Sequence, residues 1–208
     1  MSRRVIILDL DGVQVFKDIQ LHISSCSQLL QEQGFPVSPE QYYHTFMKYY
    51  LPYSLGKYNS DSQFYKLVFG EIGVQFEFGL AKELHQLYYQ SFGRYPQVPA
   101  ILTKLHQRYP LFLLSNLVNH WVDFILKKFG LNGIYTYQIV SQSAGVRKPD
   151  PEIYQKAMEL SAASPGDCIL FDDKEENVRG AARVGIEARR VDPSKGLTLA
   201  DVRDLIEK

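Results

Sequence analysis

Apolar positions in this chain fall into two patterns: short unbroken runs, and stretches in which they recur at helical spacing. Val5-Ile6-Ile7-Leu8 is an unbroken run of strand length, the pattern of a strand covered on both faces, and it leads directly into Asp9 and Asp11. The next segment, up to about Pro96, has no strand alternation. Ser38-Pro39-Glu40-Gln41 and Ser60-Asp61-Ser62-Gln63 have capping-box spacing, the first with Pro at the opening helical position, and each predicts a helix start. Most of the 14 Tyr lie here, and aromatic packing between helices accounts for them. The reading is a helical insertion over 15–96.

From Pro99 the pattern changes to helix and strand in turn. Val98, Leu102, Leu105 and Tyr109 share one helical face and precede the strand-like Leu111-Phe112-Leu113-Leu114. Val118, Val122, Ile125 and Phe129 mark a second helix closed by Gly130, followed by a β-branched and aromatic stretch, Ile134 to Val140. Asp150-Pro151 opens a third helix, and the turn Ser164-Pro165-Gly166-Asp167 leads to Cys168-Ile169-Leu170-Phe171. A helix over Lys174–Val184 and a short polar edge strand over Glu187–Val191 complete the series. Such alternation predicts an α/β fold: a Rossmann-like, doubly wound parallel sheet with helices on both faces.

Composition narrows the classes. The 208 residues and 45% hydrophobic content suit a globular chain with a substantial core. Lys+Arg and Asp+Glu are both 23, so no general attraction to nucleic acid or to an anionic membrane is expected. The basic start, Met1-Ser2-Arg3-Arg4, precedes an apolar run too short for a secretory segment, so the cytoplasm is the expected compartment. Cys26 and Cys168 lie far apart in no metal-binding spacing, which argues against a disulfide framework or a zinc site.

In a parallel sheet, ligands bind at the carboxyl ends of the strands. The residues that follow the apolar runs are Asp9 and Asp11, then Ser115-Asn116, then Arg147-Lys148, then Asp172-Asp173. Parallel strands bring them to one edge. Carboxylates gathered there repel unless a cation intervenes, and hard oxygen ligands of this kind suit Mg²⁺ shared with a phosphate. One Asp can then act as nucleophile and its neighbour as general acid and base, while Ser115, Asn116 and Lys148 offer donors and positive charge to phosphoryl oxygens.

Asp9-Leu10-Asp11-Gly12-Val13, Leu114-Ser115-Asn116, Gly145-Val146-Arg147-Lys148-Pro149, and Phe171-Asp172-Asp173 followed by Asn177 resemble the four ordered motifs of the haloacid dehalogenase-like superfamily. The resemblance implies a core over 1–14 and 97–208 and a small helical cap over 15–96 that closes on the crevice. The cap segment Gly56-Lys57-Tyr58, with Ser60 and Phe64, is similar to one found in sugar-phosphate phosphatases and in the phosphatase domains of epoxide hydrolases.

Residue by residue, the resemblance implies Asp9 as a nucleophile that becomes an aspartyl-phosphate, and Asp11 as general acid/base. Ser115 and Asn116 would bind phosphate, with Lys148 balancing charge. Mg²⁺ would be held by Asp9, the main-chain carbonyl of Asp11 and Asp173, with Asp172 acting through water, and Asn177 would brace the loop. An acid at position 11 places the chain with the phosphotransfer members rather than the dehalogenases. The implied activity is a Mg²⁺-dependent phosphatase of a small phosphorylated metabolite, a sugar phosphate being the first choice. A phosphomutase and a non-catalytic binding protein are the alternatives. One position departs from the family pattern: Gln14 stands where an apolar residue is usual, which bears on the course of the chain after Gly12.

Overall fold

The computed structural model describes residues 4–207. In chain order the elements are β1 (Val5–Leu8), β2 (Val15–Lys17), α1 (Ile19–Glu32), α2 (Pro39–Tyr53), α3 (Asp61–Glu71), α4 (Phe78–Gln90), β3 (Phe92–Arg94), α5 (Val98–His106), β4 (Leu111–Ser115) and α6 (Asn119–Lys128). They continue with β5 (Tyr137–Val140), α7 (Ser141–Ala144), α8 (Pro151–Ser161), a 3-10 turn (Pro165–Asp167), β6 (Cys168–Asp172), α9 (Glu175–Arg183), β7 (Glu187–Arg190) and α10 (Leu199–Ile206). The chain divides into two compact units, Met1–Phe16 with Arg94–Lys208, and Lys17–Gly93. Among the described residues no helix is long and apolar enough to cross a membrane.

The first unit is built on a five-stranded sheet of order β5-β4-β1-β6-β7, with every pairing parallel. This is the α/β, doubly wound arrangement that the alternation predicts. β1, β4 and β6 are buried at every position because both faces of the sheet are covered, and for this reason their sequences are unbroken apolar runs. Each buried Ile, Leu or Val in them contributes about 1.5–3 kcal/mol of transfer free energy. β7, Glu-Ala-Arg-Arg, sits at the edge, where half-exposed polar side chains are tolerated. Arg189 in β7 pairs with Glu187 and Asp204 and lies over the Phe171 ring, tying the edge to α10.

The expected strand over Ile134–Val140 is shorter than its composition implies. Only Tyr137–Val140 pairs as β5, because Gly133 at φ +80° and the Thr136 amide bonded to the Leu111 carbonyl bring the chain into the sheet late. β2 and β3 carry no strand signal in the sequence. They pair as a two-stranded sheet, and three residues each are too few for alternation to register.

The second unit is helical. Ser38 and Ser60 cap α2 and α3 by accepting from the amides of Gln41 and Gln63 at 3.1 and 3.3 Å. Gln63 does not close its box on Ser60; its side chain accepts instead from the Asn59 amide. Phe64 stacks on Tyr53 within a core that also holds Tyr42, Phe46, Tyr65, Phe69 and Tyr88, all buried.

His22 of α1 lies among the rings of Tyr42, Phe46 and Tyr88, with both ring nitrogens buried and without a hydrogen-bond partner among the described residues. Burial pushes its pKa down to about 3, and the nearby Lys17 and His85 push the same way. The folded chain therefore refuses a proton that the unfolded chain accepts below about pH 6.5. Stability is fully present above that pH and falls as pH drops toward 3. Between pH 7 and pH 5 this one group costs about 2 kcal/mol. Urea titrations at the two pH values are expected to show that loss in the wild type and a correspondingly smaller one in His22→Leu; equal pH sensitivity in both would refute the assignment.

Candidate active site

The site lies in the first unit, where the register of the central strands sets it up. Leu8 of β1 pairs with Leu113 of β4 and Phe171 of β6, so the next residues, Asp9, Leu114 and Asp172, form one row across three parallel strands. The Asp9 amide continues the ladder by donating to the Phe171 carbonyl at 3.0 Å. Residues in register on neighbouring parallel strands project to the same side about 4.8 Å apart, so two carboxylates stand next to each other in a buried layer.

Lys148 resolves that conflict. Its ammonium is buried, with the residue only 1% exposed, and its three protons meet three acceptors: Asp172 Oδ2 at 2.6 Å, the Leu114 carbonyl at 2.7 Å and Asp9 Oδ1 at 2.9 Å. Burial opposes the charged ammonium, but Asp172 and Asp9 together outweigh it and hold its pKa above the ordinary lysine value. The loop that carries Lys148 is fixed by Asn116, whose amide donates to the Lys148 carbonyl and accepts from the Lys148 amide, both at 2.9 Å. Gly180 lets α9 approach the same loop, since a Cβ there would meet the Pro149 carbonyl at 2.8 Å.

The two acids after β6 have different surroundings. Asp172 is fully buried; besides Lys148 it accepts from the Lys174 amide at 2.9 Å and from the Asn177 side chain at 2.8 Å. Burial works against its charge, yet Lys148 and these hydrogen bonds hold its carboxyl below the usual range. Asn177 is in turn held through its carbonyl by the Tyr154 hydroxyl at 2.8 Å. Asp173 is half-buried, and its Oδ1 has no hydrogen-bond partner among the described residues. Burial and the neighbouring Asp172 raise its pKa. Asp9 is raised as well, to about 8, by burial first and by Asp172 and Asp173, against the pull of Lys148.

Oxygen atoms of Asp9, Asp172 and Asp173 lie within 4.8 Å of one another. Two raised carboxyls and one buried oxygen without a partner form a cluster short of positive charge, and a hard divalent cation fits that donor set. Gly12, at φ +79°, packs directly on the Asp173 carboxyl, where any Cβ would come within 2.5 Å of Cγ. Asp11, half-buried, bridges to Val15 in the same turn. Ser115 is buried at the end of β4.

The sequence motifs thus meet at one sheet edge, with one change of emphasis. Asn116, read from sequence as a phosphate donor, has both ends of its amide on the Lys148 backbone. The Leu114 carbonyl and Tyr154 carry no sequence signal for their parts, since a main-chain acceptor and a distant phenol are indistinguishable from ordinary core.

The chain is similar to several known proteins. A phosphatase of Mycobacterium tuberculosis is 33% identical over 128 residues, covering 59% of this chain and 58% of the relative. Phosphoserine phosphatase of Thermus thermophilus is 30% identical over 117 residues, covering 54% and 47%. The chain spans about half the length of these curated relatives. Among solved structures, a HAD family enzyme of Bacteroides thetaiotaomicron in complex with magnesium and inorganic phosphate superposes with a TM-score of 0.75 at 19% identity, over 90% of this chain and 93% of that one. The sequence profile of the haloacid dehalogenase-like hydrolases matches residues 6–191, nearly the whole length, and the chain belongs to that family.

Proposed function

We propose that the protein is a Mg²⁺-dependent phosphatase of a small phosphorylated metabolite, working through a phosphorylated Asp9. The observation that carries this reading is the buried Asp9–Lys148–Asp172 row beside the under-compensated Asp173. Asp9 and Asp173 would hold the cation together with the main-chain carbonyl of Asp11, and Asp172 would act from behind. Bound there, Mg²⁺ would neutralise carboxylate repulsion and the charge on the phosphoryl oxygens.

The chain's own groups divide the work. An Asp9 carboxylate oxygen attacks phosphorus as the bond to the ester oxygen breaks, and Asp11 gives its proton to that leaving oxygen. Asp11 then takes a proton from water as the water attacks phosphorus, breaking the bond to Asp9 and releasing orthophosphate. Lys148, fixed by three acceptors, keeps positive charge beside Asp9 throughout. The Ser115 hydroxyl is available as a donor to the phosphoryl group. A small phosphomonoester as substrate is supported by relatives named as phosphatases, one of them for phosphoserine. A sugar phosphate is the first candidate, on the resemblance of the segment around Gly56 to Phe64.

The test is a panel of phosphorylated metabolites with and without Mg²⁺, with orthophosphate counted against substrate lost. One-to-one release is expected, whereas return of the phosphoryl group to substrate would mark a mutase. A second readout needs no substrate. At ten times its dissociation constant, Mg²⁺ stabilises the fold by about 1.4 kcal/mol, a rise in melting temperature of roughly 3–6 °C. No shift in 10 mM-scale titration would refute the metal site.

A further inference from the structure

We propose that Gln14 is a positioning residue for Asp9, held in its working orientation by Tyr135; the inference rests on the reading of Asp9 as nucleophile. Gln14 is wholly buried between two buried valines, Val13 and Val15. An amide there is costly unless both its ends are partnered. Both are. Its Nε2 donates to the Asp9 main-chain carbonyl at 2.7 Å, and its Oε1 accepts from the Tyr135 hydroxyl, 121 residues away in sequence.

The consequence follows from peptide geometry. The Asp9 carbonyl and the Leu10 N–H are opposite ends of one planar unit, so fixing the oxygen fixes the direction of the N–H. That N–H donates to Oδ1 of Asp9 itself at 2.7 Å, the same oxygen that accepts from Lys148. Gln14 therefore acts on the carboxylate through a rigid plane. The Asp9 amide makes the last ladder bond of β1, to the Phe171 carbonyl, and the peptide that follows is held by Gln14 instead. With Oδ1 held by two donors, carboxylate rotation is stopped and Oδ2 is presented for reaction.

Tyr135 selects the amide orientation. Were the amide flipped, Oε1 would face the Asp9 carbonyl at hydrogen-bond distance, acceptor against acceptor, and Nε2 would take the phenol. The native orientation satisfies all three groups, and burial keeps the Tyr135 phenol protonated. An apolar residue at position 14 would fill the same volume without holding the peptide.

The experiment compares wild type with Gln14→Met, which conserves volume, Tyr135→Phe, and the double variant. Circular dichroism and melting temperature establish folding. With p-nitrophenyl phosphate and saturating Mg²⁺, Gln14→Met is expected to lower kcat about 10-fold with KM within about 2-fold, as partners that orient reacting groups do. Tyr135→Phe should lower kcat less, and the double variant should match Gln14→Met because the two residues act in series. A readout without turnover is the Leu10 amide proton in metal-free protein, shifted downfield by its carboxylate acceptor and expected to move upfield in both single variants. Wild-type kcat in folded Gln14→Met, an effect confined to KM, additive losses, or an unmoved Leu10 resonance would each overturn the proposal. If Gln14→Met does not fold, Tyr135→Phe, which keeps the ring, decides it. Wild-type protein inactive on every phosphoester would overturn the phosphatase reading itself, a different result from an active wild type with unaffected variants.

Discussion

Asp9→Asn is expected to lose phosphoester turnover by at least about 10⁴-fold, the scale on which removing a nucleophile acts, while melting no lower than wild type in metal-free buffer. The two halves of this expectation come from one arrangement. A buried carboxylate beside Asp172 is useful for attack on phosphorus and unfavourable for the empty fold; burial and its acidic neighbours push Asp9 up to about 8. In metal-free protein the folded chain keeps a proton on Asp9 that the unfolded chain releases near pH 3.8. Stability therefore falls as pH rises from 3.8 toward 8. Asparagine removes that dependence and still leaves Lys148 with Asp172 and the Leu114 carbonyl. Melts in EDTA at pH 6 and pH 8 should show a smaller loss for Asp9→Asn than for wild type. An active Asp9→Asn would exclude the covalent route, and a variant both inactive and strongly destabilised would leave the loss attributable to unfolding.

The second large effect is on Lys148. Replacing it with Met keeps a side chain of similar length but leaves the completely buried Asp172 carboxylate without its counter-charge. Removing one partner of a buried ion pair costs about 3–5 kcal/mol, and that loss is expected in urea titrations of Lys148→Met at pH 7.5 in EDTA. The deficit should shrink at lower pH, as the stranded Asp172 takes up a proton, and Mg²⁺ should recover more stability in the variant than in wild type. Asp172→Asn added to Lys148→Met should restore part of the stability by removing one stranded charge. Lys148→Arg is not expected to rescue, because a planar guanidinium cannot meet three acceptors placed 2.6–2.9 Å around a point. A loss under about 1 kcal/mol in Lys148→Met would mean that this carboxylate is balanced some other way.

Much of this molecule is legible in its sequence. The unbroken apolar runs of β1, β4 and β6 gave central strands because only a sheet covered on both faces leaves no polar positions, and the polar run at Glu187 gave the edge. Helix starts at Ser38, Ser60 and Asp150 were legible because capping is local chemistry between residues two or three apart. The acids and the lysine were legible for a related reason: charged residues at the ends of buried strands stand out against the pattern that precedes them.

Spatial partnership was not legible. Nothing along the chain says that Asn116 clamps the Lys148 backbone, that the Leu114 carbonyl takes a proton of the ammonium, or that Tyr135 reaches Gln14. In sequence Gln14 is marked only as a departure from the family pattern, and its partner lies in the stretch that composition assigns to a strand. Local order along the chain determined which groups end each strand. Only the parallel register decided which of them share a row, because a hydrogen bond or an ion pair depends on a few ångströms in space whatever the separation in sequence.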